Sequence, residues 1–175
     1  MLKKIGLVLV VIIVALLLFA ATKPATFRVE RTATIKAPPD SVFAYLNDFH
    51  RWSDWSPWEK LDPAMKRTYG STSTGPGATY AWDGSSKVGA GQMEILKSVP
   101  ASQLLVKLDF LKPMQGHDTA EFKLTPKNDS TTVTWAMYGP NSFMGKFMSI
   151  FFNMDKMIGK DFETGLANLK QRAEH

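Results

Sequence analysis

An unbroken apolar run at residues 5–21 constrains this chain more than any other feature of its sequence. No face of the run is polar, which argues against an amphipathic helix packed on a globular core. As a helix it is about 25 Å long at about 1.5 Å per residue, which is short for a bilayer core of roughly 30 Å. The side-chain stems of Lys3, Lys4 and Lys23 extend that reach. We therefore predict a transmembrane anchor over residues 1–22.

A cleaved signal peptide is the alternative to an anchor for this segment. Cleavage requires small residues three positions and one position before the cut. The nearest fit, Leu18 with Ala20, satisfies only the second requirement. The apolar run is also longer than most signal-peptide cores, which favours the anchor. Because Lys3 and Lys4 precede the run, the positive-inside rule predicts a cytoplasmic N-terminus and a C-terminal domain across the membrane.

The rest of the 175-residue chain has the size of one domain, which we place at residues 27–175 after a linker at residues 23–26. There is no cysteine, which excludes disulfides, thiolate metal sites and cysteine nucleophiles. The net charge is +5, and Lys3 and Lys4 contribute to it. The other basic residues alternate with acidic ones in a mixed surface, so no basic block indicates a nucleic-acid partner.

Alternation of apolar and polar residues with a period of two predicts strands along most of the domain. The alternating stretches are residues 27–36, 79–83, 91–95, 104–110, 120–124 and 132–137. Proline and Asp40 predict a helix start near residues 38–40, and a short helix is expected at residues 51–54. Apolar residues three or four apart predict one long C-terminal helix over residues 141–172. Gly165 inside it indicates close approach to another element.

Several short segments of the domain form an ordered set. They are Ala37-Pro38-Pro39-Asp40 with Val42-Phe43-Ala44-Tyr45-Leu46, Phe49-His50-Arg51-Trp52 with Trp55-Ser56-Pro57-Trp58, Gly75-x-Gly77, Tyr80-x-Trp82, Gly89-x-Gly91, and Asp161-Phe162-Glu163-x-Gly165-Leu166-x-x-Leu169-Lys170. In this order they resemble the START-like (SRPBCC) superfamily. The likeness is to its polyketide cyclase/dehydrase-type branch, in particular bacterial members with an N-terminal membrane anchor. The resemblance implies an α+β helix-grip fold, in which a curved antiparallel sheet wraps around a long C-terminal helix and encloses a hydrophobic cavity.

Strand parity and helical spacing select the residues that would line such a cavity and contact an apolar ligand. The predicted lining is Tyr80, Trp82, Met93, Ile95, Leu104, Val106, Leu108, Phe110, Phe122, Trp135 and Met137 from the strands, with Phe151, Met154 and Ile158 from the last helix. A filled core without a cavity is the alternative. Trp52, Trp55 and Trp58 are predicted at the cavity mouth or at a membrane interface. Their alternative role is to pack the short helices onto the sheet.

The stretch at residues 143–152 is more apolar than one buried stripe requires. Its Phe143, Phe147, Met148, Phe151 and Phe152 exceed what one face of a helix buries. Such an excess is typical of a surface that touches lipid, a ligand route or a partner.

The sequence predicts no catalytic residue, no metal and no cofactor. His50 and Asp54 lie four residues apart, but neither a serine nucleophile in a glycine-framed elbow nor a second histidine accompanies them. His117 and Asp118 follow Gly116 at the start of a predicted strand, where a turn is the ordinary explanation and a polar group at a cavity rim is the alternative. The histidines make no metal-ligand spacing. Because strand parity places mainly apolar residues inward, acid–base catalysis is disfavoured.

Together these features favour membrane-tethered, non-catalytic binding of an apolar or amphipathic, lipid-like small molecule. The expected location is the cell inner membrane, with one span and the domain on the periplasmic or extracytoplasmic side. Two alternatives stay open: a cyclase- or hydrolase-type enzyme, and a docking or regulatory module for a membrane protein. The short linker holds the domain within about 18 Å of the bilayer, so the ligand is expected in, on or near the membrane.

Overall fold

The computed structural model describes residues 2–175. Within them the helices are α1 (Leu2–Ala21), α2 (Pro39–Leu46), α3 (Trp52–Trp55), α4 (Pro57–Leu61), α5 (Phe143–Met148) and α6 (Met154–Ala173). The strands are β1 (Thr26–Ile35), β2 (Lys66–Tyr69), β3 (Thr79–Asp83), β4 (Ala90–Val99), β5 (Gln103–Lys112), β6 (Gly116–Lys127) and β7 (Ser130–Pro140). A 3-10 turn (Phe49–Arg51) leads into α3.

The seven strands form one antiparallel sheet in the order β1-β7-β6-β5-β4-β3-β2. Successive strands from β2 to β7 are neighbours, and β1 closes the far edge against β7. Helix α6 packs along β1, and α2, α3 and α4 pack against α6. The sheet therefore curves around α6, as expected for a helix-grip fold, and the predicted α+β class is confirmed.

The N-terminal helix α1 stands apart from this core. Its segment at residues 3–21 has a mean hydropathy of 3.0 and is long and apolar enough to cross a membrane. Almost all of its large side chains are exposed.

The C-terminal helix differs from the prediction of one continuous helix. Residues 149–153 interrupt it and separate α5 from α6. Two side chains start the two helices independently, because Ser142 accepts a hydrogen bond from the backbone of Gly145 and Asn153 accepts one from Lys156. Such N-caps favour a helix start at each position. The short helix predicted at residues 51–54 is likewise part of a longer series, in which Pro57 begins α4.

Helix α6 packs closely against the sheet at Gly165, as predicted. A Cβ atom at this position would lie 2.7 Å from a ring carbon of Trp135 and 3.2 Å from Pro57. Phe162, Leu166 and Leu169 on the same side of α6 are fully or almost fully buried. The absence of a side chain at Gly165 therefore lets the helix reach the middle of the core.

Candidate functional site

The inward face of the sheet carries most of the residues predicted to line a cavity. Strand pairing confirms their common face, because Tyr80 pairs with Met93, Met93 with Leu108, and Leu104 with Phe122. The buried members of the set are Tyr80, Met93, Ile95, Leu104, Val106, Leu108, Phe122, Trp135 and Met137. Trp82, Phe110 and Ile158 are half-buried and pack against this core. The inward face is therefore mainly apolar.

Two predicted lining residues lie elsewhere. Phe151 and Met154 are exposed, with about half of each side chain accessible. Phe151 belongs to the interruption between α5 and α6, and Met154 is the first residue of α6. Because the predicted C-terminal helix is interrupted here, its apolar residues do not form one continuous face toward the interior.

The structure places Trp52 and Trp55 inside the core instead of at a mouth or an interface. The indole N–H of Trp52 donates to the carbonyl of Leu46 at 2.9 Å, and that of Trp55 donates to the carbonyl of Tyr45 at 3.2 Å. Trp55 is fully buried. These hydrogen bonds join α3 to α2, and both rings meet Phe122 of β6 edge-on. Trp58 is half-buried and meets the Trp135 ring edge-on at 5.8 Å between centroids.

Aromatic side chains occupy the centre of the space between the sheet and α6. Trp135 stacks on Phe162 with ring centroids 4.1 Å apart and on Phe122 at 5.0 Å. Trp55 meets Trp135 edge-on at 5.4 Å. Side chains thus fill this central region.

One polar atom inside the aromatic centre lacks a hydrogen-bond partner among the described residues. It is the indole N–H of Trp135, which is buried. An unpaired buried donor costs roughly 1–3 kcal/mol. The donor can therefore serve an acceptor that enters the interior.

A carboxyl group also faces the interior, at one end of the sheet. Asp118 lies opposite Leu108 in the pairing of β5 and β6, so the two side chains share the inward face. Its carboxylate rests against Gly139, where a Cβ atom would collide with it. Partial burial raises the pKa of Asp118 to about 6. Gly116 begins strand β6, so Asp118 lies at the predicted strand start and not in a turn.

A second polar group lies where α4 meets β2 and β3. The nearly buried carboxylate of Glu59 accepts hydrogen bonds from the hydroxyl of Tyr80 and from Nε of Arg67 at 2.6 Å. Burial and the Glu59 carboxylate raise the pKa of Tyr80 well above its usual value. The pKa of Arg67 is also raised, chiefly by its hydrogen bond to Glu59. Nothing in the sequence indicates this pairing, because Glu59 and Tyr80 are distant along the chain.

The outer face of the sheet carries a separate carboxylate–imidazole pair. Nδ1 of His117 lies 2.7 Å from the nearly buried Asp109, and Nζ of Lys107 lies 2.8 Å from the same carboxylate. These two partners lower the pKa of Asp109 to about 2 despite its burial, and the hydrogen bond with His117 has the larger effect. Asp109 borders a depression of about 280 Å³ between β2 and β5. This group faces away from the apolar interior.

The predicted His50–Asp54 pair does not form a site. His50 stacks on Tyr69 with ring centroids 4.0 Å apart, and its backbone N–H donates to Asp48. Residues 2–175 contain no cluster of three or more histidine or acidic side chains arranged to hold a metal ion.

Comparison with known proteins agrees with this architecture. The sequence profile of the polyketide cyclase / dehydrase and lipid transport family matches residues 26–174. The chain therefore belongs to this family, whose fold is one that binds hydrophobic ligands. Among curated proteins, none matches this sequence.

Solved structures of the same fold include CV1439 from Chromobacterium violaceum, which is 14% identical with a TM-score of 0.60 over 87% of this chain and 99% of that one. A Thermobifida fusca protein is 20% identical, with a TM-score of 0.60 over 83% and 92% of the two chains. The di-domain ARO/CYC protein StfQ from the steffimycin biosynthetic pathway is 12% identical, with a TM-score of 0.61 over 86% of this chain and 51% of its own. At these identities the likeness is one of fold.

Proposed function

We propose that this protein binds an apolar or amphipathic, lipid-like small molecule between the sheet and α6, while α1 tethers it to the cell inner membrane with the domain on the periplasmic side. The observation that carries the proposal is the mainly apolar inward face, which stays partly accessible at Trp82 and Phe110 of the sheet and at Ile158 of α6. The apolar helix α1 supports the tether. Lys3 and Lys4, which precede the apolar run at residues 5–21, support the orientation.

The filled aromatic centre indicates where the ligand lies in this proposal. The half-buried residues form one end of the interior, and Asp118 lies on the same face. Met93 and Met137 are also inward-facing, and the flexible methionine side chain adapts to guests of varied shape. An acyl chain would enter among these residues, with its polar head near Asp118.

Two neighbouring residues on opposite faces of β5 supply a matched test. Phe110 faces inward and Leu111 faces outward. Phe110→Glu would place a charge in the proposed path, so we expect at least about a tenfold loss of affinity for a fluorescent fatty acid. Leu111→Glu adds the same charge outside and is expected to leave affinity unchanged. Both proteins are compared with the parent by melting temperature, so that a folding defect is recognised.

The measurements use the chain without residues 1–22, because CV1439 consists almost entirely of the matched region. Mass spectrometry of organic extracts from this protein identifies any retained lipid. A protein that carries no lipid and binds no fatty acyl probe would contradict the proposal.

Asp118 favours a second candidate function, that of a cyclase- or hydrolase-type enzyme. A carboxyl that faces an apolar interior with a pKa near 6 is suited to proton transfer near neutral pH. In that case a panel of aryl and acyl esters would include a substrate whose turnover depends on pH with a midpoint near 6. Asp118→Asn would abolish turnover without reducing the melting temperature. Equal turnover by both proteins would exclude Asp118 as the catalytic group.

A further inference from the structure

The C-terminal end of α1 is covered by another part of the chain. Although most of α1 is exposed, Ala20 is fully buried and Leu16 is half-buried. The element against which α1 packs is α5. Leu16 and Ala20 are four residues apart and therefore lie on one face of the helix. Helix α5 thus lies alongside a part of α1 that belongs to the apolar run.

The linker after α1 is held in place by the start of the same segment. The backbone N–H of Asn141 donates to the carbonyl of Ala25 at 2.7 Å, and its side-chain amide donates to the carbonyl of Pro24 at 3.3 Å. Thr26 pairs with Pro140 at the edge of the sheet. The segment that leads into α5 is therefore fixed next to the end of the anchor.

Large apolar side chains are exposed at this end of the domain. They are Leu111, Met114, Phe143, Met144, Phe151, Phe152, Met154 and Met157. They come from the β5–β6 turn, from α5, from the interruption after it and from the start of α6. The β5–β6 turn and the end of β7 lie at the same end of the sheet because neighbouring strands are antiparallel. Within residues 143–154 the only charged side chain is Lys146.

The position of α5 along α1 sets its depth in a bilayer. If residues 5–21 cross the hydrocarbon, Leu16 and Ala20 lie within about 8 Å of the exit, at about 1.5 Å per residue. An interfacial helix buries its apolar face about 5–10 Å into the boundary between headgroups and acyl chains. The two depths agree. Lys23 and Lys146 at the same end suit anionic headgroups, whereas Lys112 pairs with Asp83.

We infer that residues 143–154, together with the β5–β6 turn, form a second membrane contact that enters the leaflet from which α1 emerges. This inference rests on the tether of the proposed function and deepens it. Asp118 rests against Gly139, two residues before Asn141, so the half-buried end of the interior faces the same leaflet. A lipid-like ligand would then pass between bilayer and interior without crossing water.

The chain has no cysteine, so single cysteines can be introduced and labelled with the environment-sensitive fluorophore NBD. The full chain is reconstituted in vesicles of phosphatidylcholine and phosphatidylglycerol that contain a spin-labelled quencher lipid. NBD at Phe152→Cys or Met114→Cys is expected to be quenched. NBD at Val99→Cys, an exposed apolar position at the opposite end of the sheet, is expected to remain unquenched.

Val10→Cys separates failure of this inference from failure of the tether. Quenching at Val10 without quenching at Phe152 and Met114 would leave the anchor intact and overturn the second contact. No quenching at Val10 would instead refute the anchor. NBD at Phe152→Cys could be unquenched in lipid vesicles and yet protected from water in native membranes. In that case a protein partner would cover the surface and the lipid assignment would be wrong.

A paired variant tests cooperation within the surface. Phe151→Ser with Phe152→Ser is expected to reduce quenching of NBD at Met114 by more than half. Leu96→Ser with Val99→Ser removes exposed apolar side chains at the distal part of the sheet and is expected to leave that quenching unchanged. Equal quenching in both backgrounds would contradict a joint contact.

Discussion

Two aromatic-rich segments of this protein have opposite surroundings. In residues 49–58, Trp52 and Trp55 are buried and their indole N–H groups donate to backbone carbonyls. In residues 143–157, Phe151 and Phe152 keep half or more of their side-chain surface exposed. The two segments are similar in aromatic content. They differ in what the rest of the chain places over them.

The reason lies in the neighbouring elements. The first segment lies between the sheet and α6, where Trp55 meets both Phe122 and Trp135 edge-on. The second segment follows β7. Its helix α5 packs against α1, and the interruption at residues 149–153 separates α5 from α6. Apolar surface without a protein cover is a mark of an interaction site. One segment therefore stabilises the fold, and we assign the other to the bilayer.

Trp55→Ala gives the largest expected effect and tests the comparison directly. Removing a fully buried tryptophan is expected to lower the free energy of unfolding by about 3–5 kcal/mol. Phe151→Ala removes an aromatic of the second segment and is expected to change it by less than about 0.5 kcal/mol. Urea denaturation of the two variants measures both values. Similar losses in the two proteins would show that the segments do not differ as described.

Glu59→Ala sharpens the account of the polar border beside the first segment. The variant leaves the Tyr80 hydroxyl and Nε of Arg67 without their acceptor, and we expect a loss of about 1–3 kcal/mol. Glu163→Ala removes one exposed partner of Arg31, which keeps its contact with Asp155, and is expected to cost less than Glu59→Ala. Denaturation midpoints of the two variants give the comparison. A Glu59 variant as stable as the Glu163 variant would argue against a structural role for this group.

Gly165→Ala tests how closely α6 approaches the aromatic centre. The new methyl group would meet Trp135, and overpacking costs about 1–3 kcal/mol. The higher helix propensity of alanine returns up to about 1 kcal/mol, so we expect a net loss of about 1–2 kcal/mol. Ala167→Gly on the exposed side of α6 measures the propensity contribution alone. A stabilised Gly165 variant would show that the interior has spare room.

Asp118→Asn is expected to have no effect at low pH and to stabilise the protein at higher pH. The folded protein raises the pKa of Asp118 to about 6 from an ordinary 3.8. The protonated form is therefore favoured on folding, and this contribution is complete below pH 3.8 and lost as the pH rises through 6. The variant should melt above the parent at pH 7.5 and equally at pH 4. Asp129→Asn at an exposed turn is the control, and a difference independent of pH would contradict the assignment.

Six of the seven strands, all except β2, were predictable because period-two alternation depends only on which side of each strand is apolar. The inward face is confirmed by the pairing of Tyr80 with Met93 and of Met93 with Leu108. Asp118 was accessible to the same reasoning. Extending the alternation of Ala120, Phe122 and Leu124 back by two residues places it on the inward face.

Three features were not predictable in this way. They are the helix break, the burial of Trp52 and Trp55, and the hydrogen bond between Glu59 and Tyr80. The apolar spacing at residues 147–169 is helical on both sides of the break, and it does not indicate that Ser142 and Asn153 are N-caps. The tryptophan spacing is equally compatible with a mouth and with a core. Only the elements that cover a residue distinguish these possibilities.

The sequence by itself determined the apolar helix α1, the alternating strands and the order of elements that defines the helix-grip fold. These features follow from local composition and spacing, which act within a few residues along the chain. The tertiary structure alone decided which aromatic segment is buried, that α5 turns to α1, and that Asp118 rests against Gly139. Burial and pairing depend on residues distant in sequence, and the close approach of those residues is fixed only when the sheet closes around α6.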